Sequence, residues 1–307
     1  NNYSQVKDYS VFINQAVTSL FEPGSGFKAF TMSAGIDTGK GKADTTYNDT
    51  GEEKIAEATI HNAENHKFGT QTMTDVIQKS LNTGVIFVLK MLGGDSNKIT
   101  RAGKEVLYSY FQKFGFGVAT GVEQQGEAAG VLRKPNAYDV EYANMTFGQG
   151  ISVTEMQMIT AMAAIANGGK LYQPTLLSKT LDGDNETVNQ PKLVRDNVIS
   201  AQSAATVANM LIKVVEGGSG YLAKTPGYKI AGKTGTAQVP RADGQGYEEN
   251  KNIGSFVGFA PVEDPKFIIL VRVNYPKVPG FAESTAVPAF AKVARALFQY
   301  YQIPPSN

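Results

Sequence analysis

A change of hydrophobic period at Pro226 limits most strongly how this chain can fold. Before it, apolar residues recur mainly at the three-to-four-residue spacing of helices. After it they alternate, in YKIAGKTGTAQV, IGSFVGFAPV and KFIILVRVNY, as strands do. Pro261 to Pro265 supplies the turn between the last two strands, and residues 287–301 return to a helical pattern that stops before Pro304-Pro305. Helices first, strands last and one closing helix predict an α+β fold, an antiparallel sheet flanked by helices with a mostly helical lobe packed on it.

Within the helical part, Glu22-Pro23-Gly24 reads as a turn, and a helix is expected to begin at or next to Ser25. Residues 37–70 are polar and predict loops with a short strand over 54–60. MTDVIQKSLNTGVIFVLKMLG predicts two helical pieces that meet near Ser80-Leu81-Asn82, where Asn82 and Thr83 are cap-type residues. Residues 99–117 look helical, and 118–150 is glycine-rich and reads as irregular. Thr154 followed by Gln157 is a capping box opening a helix that Gly168-Gly169 ends, and a further helix is expected over about 200–216.

Composition removes several chemistries. Lys and Arg number 29 against 28 Asp and Glu, with no basic block, so the footprint that nucleic acid requires is missing. Without cysteine there is no disulfide framework, thiolate metal site or Cys nucleophile. The two histidines, His61 and His66, lie in the polar stretch HNAENHK, which reads as a solvated turn and not as part of a serine-histidine-carboxylate triad or a metal site. No run approaches the roughly 18 apolar residues that span a bilayer.

Two patterns compete around Lys233. Gly227 to Thr234 fits the phosphate-loop pattern G-x-x-x-x-G-K-[ST], which must follow a strand and open a helix; here the residues after Thr234 continue as strand or loop. Alternatively, Lys233-Thr234-Gly235 on a strand sets an ammonium and a hydroxyl along an edge, with glycine leaving room for a ligand backbone, an arrangement suited to a peptide carboxylate. Acyl transfer without histidine also needs a serine whose proton a lysine can take. Ser25 and Lys28 stand at i, i+3, so both project from one helix face, with Ser25 at the amide-rich N-terminus. A second S-x-x-K, Ser4 to Lys7, lies in the polar leader with no turn to expose it, and is read as chance.

The ordered set Ser25-Gly26-Phe27-Lys28, Ser80-Leu81-Asn82 and Lys233-Thr234-Gly235 resembles the S-x-x-K, S-x-N and K-T-G signatures of penicillin-recognising serine enzymes. FEPGSGFKAFT, FGFGVATGVE, FGQGISVTEMQM, AGKTGTAQVP and GSFVGFAPVEDP are similar to the transpeptidase domain of class B penicillin-binding proteins, nearest the division-type group, from about Tyr9 to Pro305. Lys233 follows Ser80 by 153 positions and the middle motif is Ser-Leu-Asn, unlike the shorter interval and S-D-N of class A β-lactamases.

The resemblance implies the penicillin-binding, serine β-lactamase-like fold and a D,D-transpeptidase that cross-links peptidoglycan stem peptides. Ser25 is then the nucleophile, Lys28 the base, and Ser80 the proton bridge. Asn82 would bind the substrate amide and orient Lys28. Lys233, Thr234 and Thr236 would hold a terminal carboxylate beside Gly235, and the amides of Ser25 and Thr236 would form the oxyanion hole. No metal or organic cofactor is required. Implied partners are a D-Ala-D-Ala donor, an amine acceptor and β-lactams, together with a glycosyltransferase and other divisome proteins. The implied place is the extracytoplasmic face of a bacterial membrane.

Two departures stand out. Gly26 occupies a position where many relatives carry Thr, and glycine lowers helix propensity by about 1 kcal/mol. Only 24 residues precede Ser25, so residues 1–307 are expected to be one transpeptidase domain lacking its anchor, pedestal and first strands, with an unpaired sheet edge. Alternatives on the same fold are a β-lactamase or D,D-carboxypeptidase, in which water resolves the acyl-enzyme, and a non-catalytic β-lactam sensor or scaffold.

Overall fold

Thr72, Thr100, Thr154 and Ser200 each precede a helix, and in the computed structural model of the chain each side chain accepts a hydrogen bond from the amide three residues on. Each thereby satisfies one of the orphan donors of a helix start. The structure describes residues 5–8, 12–63, 66–241, 246–277 and 282–305. Ser4, and with it the leader S-x-x-K, lies outside them, as does Tyr9.

The chain begins with α1 (Gln15–Thr18) and a 3-10 turn (Gly24–Phe27) that runs into α2 (Lys28–Asp37). Four short strands follow, β1 (Thr46–Asp49), β2 (Glu52–Ile55), β3 (Ala58–His61) and β4 (Gly69–Thr72). Then come α3 (Met73–Lys79), α4 (Asn82–Leu92), α5 (Arg101–Lys113), α6 (Asp139–Met145) and α7 (Glu155–Ala166). Strands β5 (Leu171–Tyr172), β6 (Lys179–Asp182), β7 (Asn185–Val188) and β8 (Leu193–Arg195) lead to α8 (Ala201–Gly217). The last third holds β9 (Ala231–Pro240), β10 (Tyr247–Ala260), β11 (Phe267–Asn274) and α9 (Ala286–Tyr300).

The main sheet is antiparallel in the order β11-β10-β9, with Val257 of β10 opposite both Lys233 of β9 and Leu270 of β11. Side chains alternate across it. Val257 and Phe259 enter a core built with the helices, where Phe27, Phe30, Phe111, Phe114 and Phe116 pack ring against ring. Phe256 and Ala260 face the other way, against Val287, Phe290, Ala294 and Phe298 in the core beneath α9. This is the α+β arrangement expected from the switch of period.

Three expectations need amendment. The polar stretch 37–70 carries four strands instead of one, as a β2–β3 hairpin and a β1–β4 pair. Its members are four residues long and half exposed, too short for alternation to register. The stretch 118–150, read as irregular, contains α6, opened by Glu141 accepting from the Tyr138 amide. The helix placed at Ser25 begins as a 3-10 turn and becomes α-helical at Lys28.

Candidate active site

The nucleophile candidate is placed by a tight crossing of backbones. Gly24 has φ +54° and donates its amide to the Gly148 carbonyl at 3.1 Å. A Cβ on Gly24 would sit 2.5 Å from the Thr236 carbonyl oxygen, so only glycine lets this turn lie against β9. Ser25 follows in the 3-10 turn, flanked by buried Gly26 and Phe27, and its hydroxyl has no hydrogen-bond partner among the described residues. Lys28, the first residue of α2, is fully buried.

The α3–α4 junction brings the second motif to the first. Ser80 ends α3 in the left-handed conformation, φ +59°, which costs a non-glycine residue on the order of 1–3 kcal/mol. The Lys28 ammonium donates to the Ser80 carbonyl, and reaches the Ser80 hydroxyl at 3.2 Å. From the opposite side the Lys233 Nζ donates to the same hydroxyl at 3.0 Å and to Thr234 Oγ1 at 3.3 Å. One hydroxyl therefore sits between two buried lysines that are 205 positions apart in sequence.

Two ammonium ions at that separation in a dry interior are costly, and the cost falls on acidity. Burial, reinforced by the Lys233 charge, holds the Lys28 pKa well below the ordinary lysine range. Burial also pushes Lys233 down to about 7, against a smaller upward pull from Glu283. A neutral Lys28 can donate both its hydrogens to Ser80 and keep its lone pair for an incoming proton, which is the chemistry of a general base.

Thr234, Gly235 and Thr236 lie along β9 at the cavity. Thr234 Oγ1 and Ser219 Oγ are 2.6 Å apart, and Thr236 Oγ1 accepts from the Ala282 amide at 3.2 Å. A Cβ on Gly235 would lie 2.5 Å from the Pro23 carbonyl oxygen and from Ser255 Oγ, so glycine is what lets strand and turn meet. The cavity, about 500 Å³, is lined by Ser25, Ser80, Asn82, Ser219, Thr234 and Thr236 among others. Lys28 and Lys233 lie beneath it.

Asn82 differs from expectation in one respect. Its Nδ2 donates to the His61 carbonyl at 2.8 Å, and no hydrogen bond links it to Lys28 among the described residues. Among the described residues Lys28 is hydrogen-bonded by Ser80. Ser219, Gln149 and Glu283 also line the cavity and were not singled out by sequence, although Gln149 lies in the FGQGISVTEMQM segment and Ser219 is a lone serine in the glycine run after α8. The phosphate-loop alternative fails, since Lys233 and Thr234 lie inside β9, which leads into β10 and not into a helix. His61 is an exposed strand-end residue 3.5 Å from Glu52, and no cluster suited to a metal ion occurs among the described residues.

A serine without a hydroxyl partner among the described residues, in one cavity with a hydroxyl held between two buried lysines, has the parts that acyl transfer without histidine requires. The chain belongs to the penicillin binding protein transpeptidase domain family, whose model matches residues 1–298. It is similar to the stage V sporulation protein D of Bacillus subtilis, 38% identical over 288 residues, covering 92% of this chain and 43% of that protein. The penicillin-binding protein PbpB of Mycobacterium tuberculosis is 33% identical over 301 residues, 95% of this chain and 43% of its own length. Among solved structures, penicillin binding protein 3 of M. tuberculosis complexed with aztreonam superposes with a TM-score of 0.85 at 33% identity, covering 96% of this chain and 66% of that one. The apo transpeptidase domain of Burkholderia pseudomallei penicillin-binding protein 3 gives 0.81 at 32%, covering 96% and 83%. The chain thus spans less than half the length of the first two relatives. No helix among the described residues is long and apolar enough to cross a membrane.

Proposed function

We propose that this domain is a serine D,D-transpeptidase that cross-links peptidoglycan stem peptides through a Ser25 acyl-enzyme and is acylated there by β-lactams. The observation that carries this reading is the Ser80 hydroxyl held between Lys28 and Lys233 at 3.2 and 3.0 Å. Ser25 Oγ attacks the penultimate carbonyl carbon of a D-Ala-D-Ala donor while its proton passes to the Lys28 amine. The amides of Ser25 and Thr236 receive the developing oxyanion, each such donor being worth roughly 3–4 kcal/mol in the transition state.

As the C–N bond breaks, Ser80 relays a proton from Lys28 to the departing nitrogen, and D-alanine leaves. Lys233, Thr234 and Thr236 hold the terminal carboxylate of the donor. An acceptor amine from a second stem peptide then attacks the ester, its proton returning through Lys28 to Ser25 Oγ. None of these steps calls for a metal or an organic cofactor.

In this reading residues 1–307 are the transpeptidase domain of a longer, membrane-anchored protein working on the extracytoplasmic face, with a glycosyltransferase and other divisome proteins as partners. The coverage of under half of the similar B. subtilis and M. tuberculosis proteins supports the greater length, and the family resemblance supports the anchor and partners. Intact mass spectrometry after benzylpenicillin treatment tests the chemistry: a long-lived adduct mapping to Ser25 and lost in Ser25→Ala is expected. Rapid turnover of the antibiotic would instead identify a lactamase, and a folded chain that takes no adduct would remove the catalytic reading.

A further inference from the structure

Helix α4 starts without a cap of its own. Its N-cap residue is Leu81, which has no side-chain oxygen to offer. The first two amides of the helix are instead satisfied from another part of the chain: Asn62 Oδ1 accepts from Asn82 N at 2.8 Å and from Thr83 N at 3.2 Å. Asn62 is 4% exposed and its amide is held the right way round, because Nδ2 donates to Asp49 Oδ1 at 2.9 Å and to the His66 carbonyl at 3.1 Å.

Asp49, 2% exposed, is the hub of this support. Its carboxylate also accepts from Thr83 Oγ1 at 2.7 Å and from the amides of Gly51 and Phe68, and no lysine or arginine pairs with it among the described residues. Tyr47 OH completes the set, 3.0 Å from Thr83 Oγ1. A buried carboxylate this fully hydrogen-bonded is rigid, and its rigidity passes through Asn62 and Thr83 to the residues beside them. Those residues are Asn82, whose side chain lines the cavity, and Ser80, whose strained backbone carries the hydroxyl between the lysines.

We infer that Asp49, Asn62 and Thr83 are positioning residues that cap α4 in trans and thereby aim Ser80 and Asn82 for acyl transfer. The inference rests on the transpeptidase reading for what the aim serves. Its geometric content is that the S-x-N segment takes its position from the loop after β3 as well as from α3 and α4. Asn82 is tied there twice, by its amide to Asn62 in the loop and by its side chain to the carbonyl of His61, the last residue of β3.

The test compares the rate of Ser25 acylation by a fluorescent penicillin in the 307-residue chain and in four variants, with melting temperature measured for each. Asn62→Ala is expected to slow acylation by about 10- to 100-fold, the penalty of loosening a catalytic group by a fraction of an ångström to an ångström. Ser200→Ala, which removes a comparable cap from α8 far from the site, is expected to lower the melting temperature similarly and leave the rate unchanged. Asn62→Asp combined with Asp49→Asn keeps an acceptor for both amides and a donor between the two side chains, and is expected to restore most of the lost rate.

Thr83→Val keeps the side-chain volume while cutting the link to Asp49, and decides the matter if Asn62→Ala does not fold; a clear fall in its rate is expected. A folded Asn62→Ala or Thr83→Val acylated as fast as the parent overturns the inference, and so does a folded Asp49→Asn, Asn62→Asp double variant as slow as Asn62→Ala. If the parent chain itself is not labelled at Ser25, the transpeptidase reading falls and takes the inference with it. A labelled parent with unaffected variants removes the inference alone.

Discussion

The acidity of two lysines sets when this site can work. In the proposed mechanism acylation requires Lys28 without its proton, so the rate is expected to rise with pH through the lowered Lys28 pKa. Lys233 must keep its proton to hold a carboxylate, so the rate falls again as pH passes about 7 in the free protein. Lys233→Arg keeps its charge across the accessible range and is expected to move the descending limb upward while leaving the ascending limb in place; a stopped-flow acylation profile reads both. Gly26 offers a second prediction at this scale. Its φ is not left-handed, and an added Cβ would meet only the Met158 methyl at 3.5 Å, an ordinary contact. Gly26→Ala is therefore expected to stabilise the chain by about 0.4–1 kcal/mol by restricting the unfolded state, seen as a rise in melting temperature with labelling retained.

Between elements, Arg272 is the tie that locks the sheet to the helical lobe. Its guanidinium on β11 reaches Glu155 at the start of α7 at 3.1 Å and Ser19 Oγ at 3.0 Å, and it lies 4.8 Å from the Phe21 ring centre. The Arg272 side chain is 6% exposed, so removing it strands a carboxylate against a largely closed interface. Arg272→Ala is expected to cost about 3 kcal/mol, read by denaturant unfolding, because an uncompensated charge is left behind. Glu155→Gln, which keeps a hydrogen-bond acceptor, is expected to cost less. A different constraint operates where the 3-10 turn meets β9. Gly235→Ala would press a methyl against Pro23 and Ser255, and is expected to reduce acylation far more than stability, since the turn it displaces carries Ser25.

For the molecule as a whole the exposed feature is β11. Among the described residues it pairs with β10 on one side only, over eight residues, and its side chains are half-buried on both faces, against the α9 core and against the helical core. A long apolar strand with one free hydrogen-bonding edge invites pairing with another strand, either from a longer protein or from a second molecule. The 307-residue chain is expected to associate as its concentration rises, by sedimentation velocity. Ile268→Lys, which sets a charge on that edge away from the cavity, is expected to weaken the association without changing acylation.

What could be read along the chain was whatever depends on neighbours in sequence. The helix capped at Thr154, the helix from about Ser200, the break at Ser80 to Asn82, the three strands after Pro226 and the Ser25–Lys28 pair all follow from spacing and from side chains bonding their own backbone. The four strands within 37–70 were largely invisible because β1 and β4 satisfy each other across more than twenty residues, too short and too exposed to leave a period. Nor could sequence show that Leu81 has its capping done by Asn62, or that Asn82 bonds His61 and not Lys28. The chemistry divides in the same way. The residue types needed for acyl transfer are written in order along the chain, but a lysine becomes a base only when burial and a second lysine depress its pKa. Desolvation belongs to packing between distant segments, so the meeting of Lys28 and Lys233 at Ser80 exists only in the folded molecule.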